Sequence, residues 1–108
     1  MLKDSFTERT PSYVELYFRR DPWFDGDELV VPLAVHEQGD TGGRQEVKVW
    51  VQDADGERLA TRTTTVTTKP GALIRTDVRL AVKKSKGDAG LVEVTLLGHP
   101  QRLRMHLR

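Results

Sequence analysis

No cysteine occurs among the 108 residues of this chain, which excludes disulfide bonds, thiolate zinc sites and a cysteine nucleophile. Aromatic residues are also few, at 6% of the sequence. No apolar run approaches the roughly 20 residues that span a bilayer. We therefore expect a soluble domain without a membrane partner.

The first ten residues lack the apolar segment of a secretory signal peptide. A cytoplasmic protein is therefore the default expectation, although an excised domain of a larger protein would show the same pattern. The net charge of +1 gives no general attraction to nucleic acid or to a membrane surface.

Charge is distributed unevenly along the chain. Residues 1–56 carry 6 Lys/Arg against 12 Asp/Glu, a balance of −6, and residues 57–108 carry 11 against 4, a balance of +7. Two interpretations are open. Either strands from the two halves interleave and their charges neutralise, or an acidic end and a basic face serve different partners.

Catalytic motifs are missing too. None of the serines stands in a Gly-x-Ser-x-Gly elbow, and any triad would need histidines from distant parts of the chain: His36, His99 and His106. The sequence therefore predicts a protein that is not an enzyme and needs no cofactor.

Acidic residues crowd one loop, and carboxylate oxygens are the ligands that calcium prefers. They are Asp21, Asp25, Asp27 and Glu28. Their spacing does not match an EF-hand loop, and Asp53 and Asp55 fit a turn-capping role better than a metal site. We predict no metal.

Apolar residues alternate with polar ones at a period of two along most of the chain, which is typical of half-buried strands. Seven strands are predicted: 13–19, 29–36, 47–52, 59–68, 74–82, 92–96 and 102–108. Turn residues separate them, including 21–27, the hairpin 53–56 and a type II turn at Lys69-Pro70-Gly71. Pro32 predicts an edge position or a bulge, because proline lacks the backbone donor of a ladder.

This pattern predicts an all-β domain, an antiparallel two-sheet sandwich of about seven strands, with a small barrel or jelly roll as alternatives. Residues 1–12 are predicted to be a flexible arm and residues 13–108 the single domain.

The predicted domain resembles immunoglobulin-like and fibronectin type III-like modules. The resemblance rests on strand count, on the Asp-x-Asp-Gly hairpin after 47–51 and on the segment Gly90-Leu91-Val92-Glu93-Val94. The chain departs from antibody-type domains by lacking their cysteine pair and tyrosine corner, and Trp50 is out of phase with the valines around it. The resemblance implies architecture and carries over no functional residue.

Aromatic residues are the leading candidates for a protein interface, because large aromatics on an outer face often anchor such contacts. If Val47, Val49 and Val51 face the core, the pleat turns Trp50 outwards. The same alternation turns Tyr13 and Tyr17 outwards. Trp23 and Phe24 are placed in the acidic loop, where they either plug one end of the sandwich or project from it.

The last strand carries a basic stripe on one face, with Arg102, Arg104, His106 and Arg108. Such a stripe can neutralise phosphates, whereas a charged edge strand also discourages pairing with other chains. Nucleic-acid modules place aromatics on the same surface, and none occurs after Trp50, which argues against nucleic acid.

The leading hypothesis is a non-enzymatic binding or structural module that acts through protein–protein contacts or self-association, by a sheet face or edge centred on Trp50. Anion or nucleic-acid binding through the basic C-terminal strand is the alternative. An accessory carbohydrate-binding β-domain is the second alternative, with Trp23 or Trp50 stacking on sugar.

Overall fold

A computed structural model describes residues 14–39, 42–82, 89–99 and 101–107 of the protein. The predicted arm 1–12 and the candidates Tyr13 and Arg108 lie outside these residues. The described residues contain no helix that is long and apolar enough to cross a membrane.

Within the described residues, eight strands make up two antiparallel sheets. They are β1 Val14–Phe18, β2 Trp23–Asp25, β3 Glu28–Glu37, β4 Gly43–Asp53, β5 Arg58–Thr68, β6 Leu73–Ala81, β7 Ala89–Leu96 and β8 Arg102–His106. In sheet A, β3 pairs with β1 and β2 along one edge and with β6 along the other. Sheet B has the order β5-β4-β7-β8. The predicted all-β, two-sheet sandwich is confirmed.

The break between β1 and β2 explains the position of Pro32. β3 is a central strand, so the predicted edge position is wrong, but the partner strand is interrupted at residues 19–22, opposite this proline. The N–H of Arg19 donates to the carbonyl of Pro32 at 2.8 Å. Both backbone polar groups of a residue in an antiparallel strand point to the same neighbour, so the missing donor of Pro32 faces the break.

Valine and leucine side chains fill the space between the sheets. Inward positions such as Leu33, Val49 and Val94 are completely buried, and they alternate with polar positions as the sequence predicts. β3 is exceptional because Val30 and Ala34 are buried on its outer side as well. The strand that is apolar on both faces in sequence is therefore the most covered strand of the fold.

Two predicted turns form with the expected chemistry. Oδ1 of Asp53 accepts the N–H of Asp55 at 2.9 Å and that of Glu57 at 2.8 Å, and Gly56 has a φ of 85°. The N–H of Ala72 donates to the carbonyl of Lys69 at 2.9 Å across Gly71, whose φ is 76°, as a type II turn requires.

A buried carboxylate joins the two sheets at one end of the sandwich. Glu37, at the end of β3, accepts the hydroxyl of Thr68 from β5 at 2.8 Å and the N–H of Gly39 at 2.8 Å. Thr68 Oγ1 also lies 3.0 Å from the carbonyl of Gly43 at the start of β4. A buried carboxylate is costly without such partners. The network therefore holds the end of β3 in sheet A against β4 and β5 of sheet B.

One side chain acts in place of a strand along β1. The N–H of Leu16 donates to Oε1 of Gln101 at 3.1 Å, and Nε2 of Gln101 donates to the carbonyl of Leu16 at 3.0 Å. The amide thus satisfies both backbone groups of Leu16 at the edge of sheet A, from a residue just before β8 of sheet B.

Truncation of a core leucine should reveal how much of the stability comes from this packing. We expect Leu33→Ala to lower the free energy of unfolding by about 3 kcal/mol, because it removes buried methyl groups and leaves a cavity. The matched control is Leu97→Ala, at a leucine that is 68% exposed. It should change stability by less than about 0.5 kcal/mol. Urea unfolding monitored by tryptophan fluorescence measures both, and equal losses would contradict the assigned core.

Candidate functional site

The predicted site residues divide between the two outer faces of the sandwich and do not form one site. By register, Tyr17 and Trp23 lie on the outer face of sheet A, with Trp50, Arg102, Arg104 and His106 on that of sheet B. Phe24 packs against the core instead. The placement of Trp23 and Phe24 in a loop is wrong, because both belong to the short strand β2.

Cations and carboxylates cover one end of the outer face of sheet A. The guanidinium of Arg79 binds Asp25 at 3.1 Å and Glu28 at 3.0 Å, and these hydrogen bonds, first that to Asp25, raise the pKa of Arg79. The guanidinium of Arg20 lies 4.2 Å from the ring centre of Trp23. Asp25 and Glu28, two members of the acidic cluster, are thus used by an arginine.

No candidate metal site is found in the part of the chain that the structure describes. There, no three His, Asp or Glu side chains come together in a way that could hold an ion.

A shallow groove of about 580 Å³ occupies the other end of the same face. Its floor is the buried Ala34, and in register across the sheet Tyr17 stands on one side and Arg75 on the other. Leu73 and His36 form the next row. Tyr17 is 41% exposed and Leu73 is 50% exposed, so the large hydrophobic side chains that line the groove are exposed to solvent.

The charges around the groove are not equivalent. Arg19, at one end, is neutralised by Asp77 at 2.7 Å. Arg75, which lines the groove, has no carboxylate within ion-pair distance among the described residues, so its charge is available at the rim. The hydroxyl of Tyr17 donates to the carboxylate of Glu15. The groove therefore combines an apolar surface with one available cation.

On sheet B, Trp50 faces outwards, as the alternation of the valines predicts, and it is half-buried. The guanidinium of Arg58 lies 4.7 Å from its ring centre and the ammonium of Lys48 lies 5.7 Å away. Its Nε1 is buried and has no hydrogen-bond partner among the described residues. The interface prediction needs an uncovered Trp50 ring, and in the structure two cations lie close to that ring.

Glu93 is the important residue of this face that the sequence does not reveal. It lies in register between Trp50 on β4 and Arg104 on β8 and is only 3% exposed. Nε of Arg102 binds its carboxylate at 2.9 Å and Nε of Arg104 lies 3.5 Å away. The alternation in β7 predicts a solvated Glu93. Only the strand order shows that a tryptophan and two arginines enclose it.

The strand order also shows how the uneven charge of the two halves is distributed over the sheets. Sheet A takes β1 to β3 from the acidic half and β6 from the basic half, whereas sheet B takes β4 from the acidic half and β5, β7 and β8 from the basic half. Register places five described cations and two carboxylates on the outer face of sheet B: Arg44, Lys48, Arg58, Arg102, Arg104, Glu46 and Glu93. The halves interleave only in part, and this face is basic.

Comparison with known proteins identifies the fold and no family. No protein-family model and no curated protein sequence matches this chain. Among solved structures, it is similar to β-glucosidase 3B from Thermotoga neapolitana in complex with α-D-glucose, with a TM-score of 0.56 and 16% identity over 88% of this chain and 16% of that chain.

Two further β-glucosidases give the same result. That from Kluyveromyces marxianus in complex with glucose has a TM-score of 0.58 and 16% identity over 90% of this chain and 14% of that chain. That from Listeria innocua in complex with glucose has a TM-score of 0.57 and 15% identity over 88% of this chain and 16% of that chain. The protein therefore spans about one sixth of the length of these enzymes or less, and at such identity the likeness shows the fold alone.

The burial of Glu93 leads to a prediction about the basic stripe. We expect Glu93→Gln to increase retention on heparin at low salt, because the substitution releases Arg102 and Arg104 from their carboxylate. Glu46→Gln on the same face is the matched control, since it changes the net charge equally without releasing these arginines. Salt-gradient elution measures both variants, and equal shifts would show that Glu93 does not sequester the two arginines.

Proposed function

We propose that the protein is a non-enzymatic binding or structural module that acts through protein–protein contacts, and that the groove on the outer face of sheet A is its docking surface. The observation that carries this proposal is the clustering of Tyr17 and Leu73, two exposed large hydrophobic side chains, in one groove. Exposed apolar surface grouped in this way favours a partner that covers it.

The chemistry of the groove defines the partner surface. An apolar side chain of the partner packs over Ala34 between Tyr17 and Leu73, and a carboxylate beside it binds Arg75. Such a contact combines an apolar centre with a charged rim, as protein interfaces commonly do. No step of this function requires a catalytic group, a cofactor or a metal.

The similarity to β-glucosidases supports an accessory role for such a module. In those enzymes the similar region makes up only 14–16% of the chain, so a domain of this fold occurs there as a minor part of a larger protein. We propose that this protein likewise works beside a larger partner or domain, in keeping with its resemblance to immunoglobulin-like and fibronectin type III-like modules.

Site-specific photo-crosslinking tests the docking surface. A photoreactive amino acid replaces Leu73 in one variant and Leu97, which lies outside the groove, in the matched control. In cells of the source organism we expect a covalent adduct of one defined mass from position 73 and not from position 97. The adducted partner, once purified, should bind Leu73→Asp at least about tenfold more weakly than Leu97→Asp, because a buried charge is costly in an apolar contact. Equal crosslinking or equal affinities would contradict the proposal.

The carbohydrate-binding alternative is favoured by the same enzymes, whose structures contain glucose. It requires an uncovered aromatic face for the sugar, and Arg58 lies over Trp50 as Arg20 lies over Trp23. A titration with glucose and cellobiose, followed by tryptophan emission, tests it. A saturable shift that Trp50→Ala or Trp23→Ala abolishes would support this function over protein docking.

A further inference from the structure

The outer edges of sheet A are partly blocked by side chains. On β1, Gln101 bonds both backbone groups of Leu16, and on β6, Nη1 of Arg62 donates to the carbonyl of Arg79 at 2.9 Å. A strand from another molecule would have to displace these bonds before pairing there. Natural sandwiches protect their edges in such ways.

The two edges of sheet B differ sharply. β8 has five residues, and three of them are exposed and basic or titratable: Arg102, Arg104 and His106. β5 has eleven residues, with just Arg58 and Arg62 charged, and it pairs with β4 alone. Beyond Arg58, its exposed outward positions are occupied by threonine, which is β-branched and favours strands: Thr61, Thr63, Thr65 and Thr67. Arg62, which is opposite Val49, is the charge on its inner side, but no side chain among the described residues bonds the outward backbone groups of β5, in contrast to the two edges of sheet A.

The backbone groups at this free edge belong to the same four threonines. The N–H of Leu97 donates to the carbonyl of Glu46 at 2.9 Å, so the backbone groups of Glu46 point towards β7. Alternation then points those of Val47 towards β5, where Val47 lies opposite Thr64. Thr64 bonds to β4, and the N–H and carbonyl of Thr63 point away from the sheet.

We propose that β5 pairs antiparallel with β5 of a second copy of this chain, with Thr63 of one copy opposite Thr63 of the other. The two B sheets then form one continuous eight-stranded sheet across a two-fold axis. Thr61 lies opposite Thr65 and Ala60 opposite Val66, so side chains on the same face meet without a like-charge pair. This inference goes beyond the docking groove, which lies on sheet A.

Charge selects this register over its neighbours. With Thr63 opposite Thr63, the exposed Glu57 of each copy approaches the exposed Lys69 of the other, at both ends of the paired strands. A shift by one residue per strand in one direction brings Arg62 opposite Arg62. The opposite shift places Lys69 against Leu59 and loses the ion pairs. Like charges directly opposite in a sheet are unfavourable, whereas opposite charges stabilise it.

Disulfide trapping tests the register directly, because the natural chain has no cysteine to interfere. Residues in a hydrogen-bonded antiparallel pair have Cα atoms about 5.5 Å apart, which a disulfide spans. We expect Thr63→Cys to form a covalent dimer under mild oxidation. Thr65→Cys is the matched control. Position 65 is also exposed, but in the dimer it lies opposite Thr61 of the second copy, and the two Thr65 residues are far from each other. Crosslinking of Thr65→Cys as fast as Thr63→Cys overturns the register.

Charge exchange tests the same contact without a crosslink. The dissociation constant of the dimer is measured by sedimentation at low salt. Glu57→Lys and Lys69→Glu should each raise it about tenfold, because each change turns two attractive pairs into repulsive ones. The double exchange Glu57→Lys/Lys69→Glu restores opposite charges and should restore the wild-type value. A double variant no better than the single variants overturns the pairing of these residues.

Oligomeric state separates this inference from the proposed function. A wild-type protein that stays monomeric up to its solubility limit overturns strand pairing and leaves the groove on sheet A untouched. A second result also overturns strand pairing: Leu73→Asp dissociates the dimer, whereas the two single charge reversals leave it unchanged. Such a dimer associates through the groove. A dimer that is weakened by Glu57→Lys and by Lys69→Glu, but not by Leu73→Asp, supports strand pairing.

Discussion

The fold depends on the nearly complete enclosure of β3. This strand is paired along both edges and buried on both faces, so removing it would expose the inward side of sheet A and separate β1 and β2 from β6. Its sequence must therefore be apolar at nearly every position. Pro32 is tolerated in this central strand because the neighbouring strand is broken at that point, where its missing N–H leaves no ladder bond unmade.

The features that could be predicted from the sequence are those that local chemistry determines. Alternating valines specify which face of β4 is buried, and aspartate with glycine specifies the hairpin at 53–56, because each depends on neighbours within a few residues. The strand β2 escapes prediction since its two aromatic residues stand between turn-forming aspartates and proline. A strand of three residues is stabilised by its pairing with β3 rather than by its own pattern.

The candidate sites were less predictable because strands distant in sequence build them. Glu93 is enclosed by Trp50 from β4 and by arginines from β8, and the groove combines Tyr17 of β1 with Leu73 of β6. Period-two alternation gives the face of each residue but not its neighbours across the sheet. The same limitation explains why Trp50 stands out as exposed in sequence, although two cations lie close to its ring in the structure. Its role as an interface anchor stays a prediction.

The bond between Gln101 and Leu16 has a mechanical consequence. Because it connects the first described strand to the segment that leads into the last, tension applied to the two ends of the chain loads this amide pair. Its two hydrogen bonds act in parallel, so they share that load and yield together. The resistance of the sandwich to extension would thus depend on a polar residue outside its apolar core, in addition to the ladders of β1 with β3 and of β7 with β8.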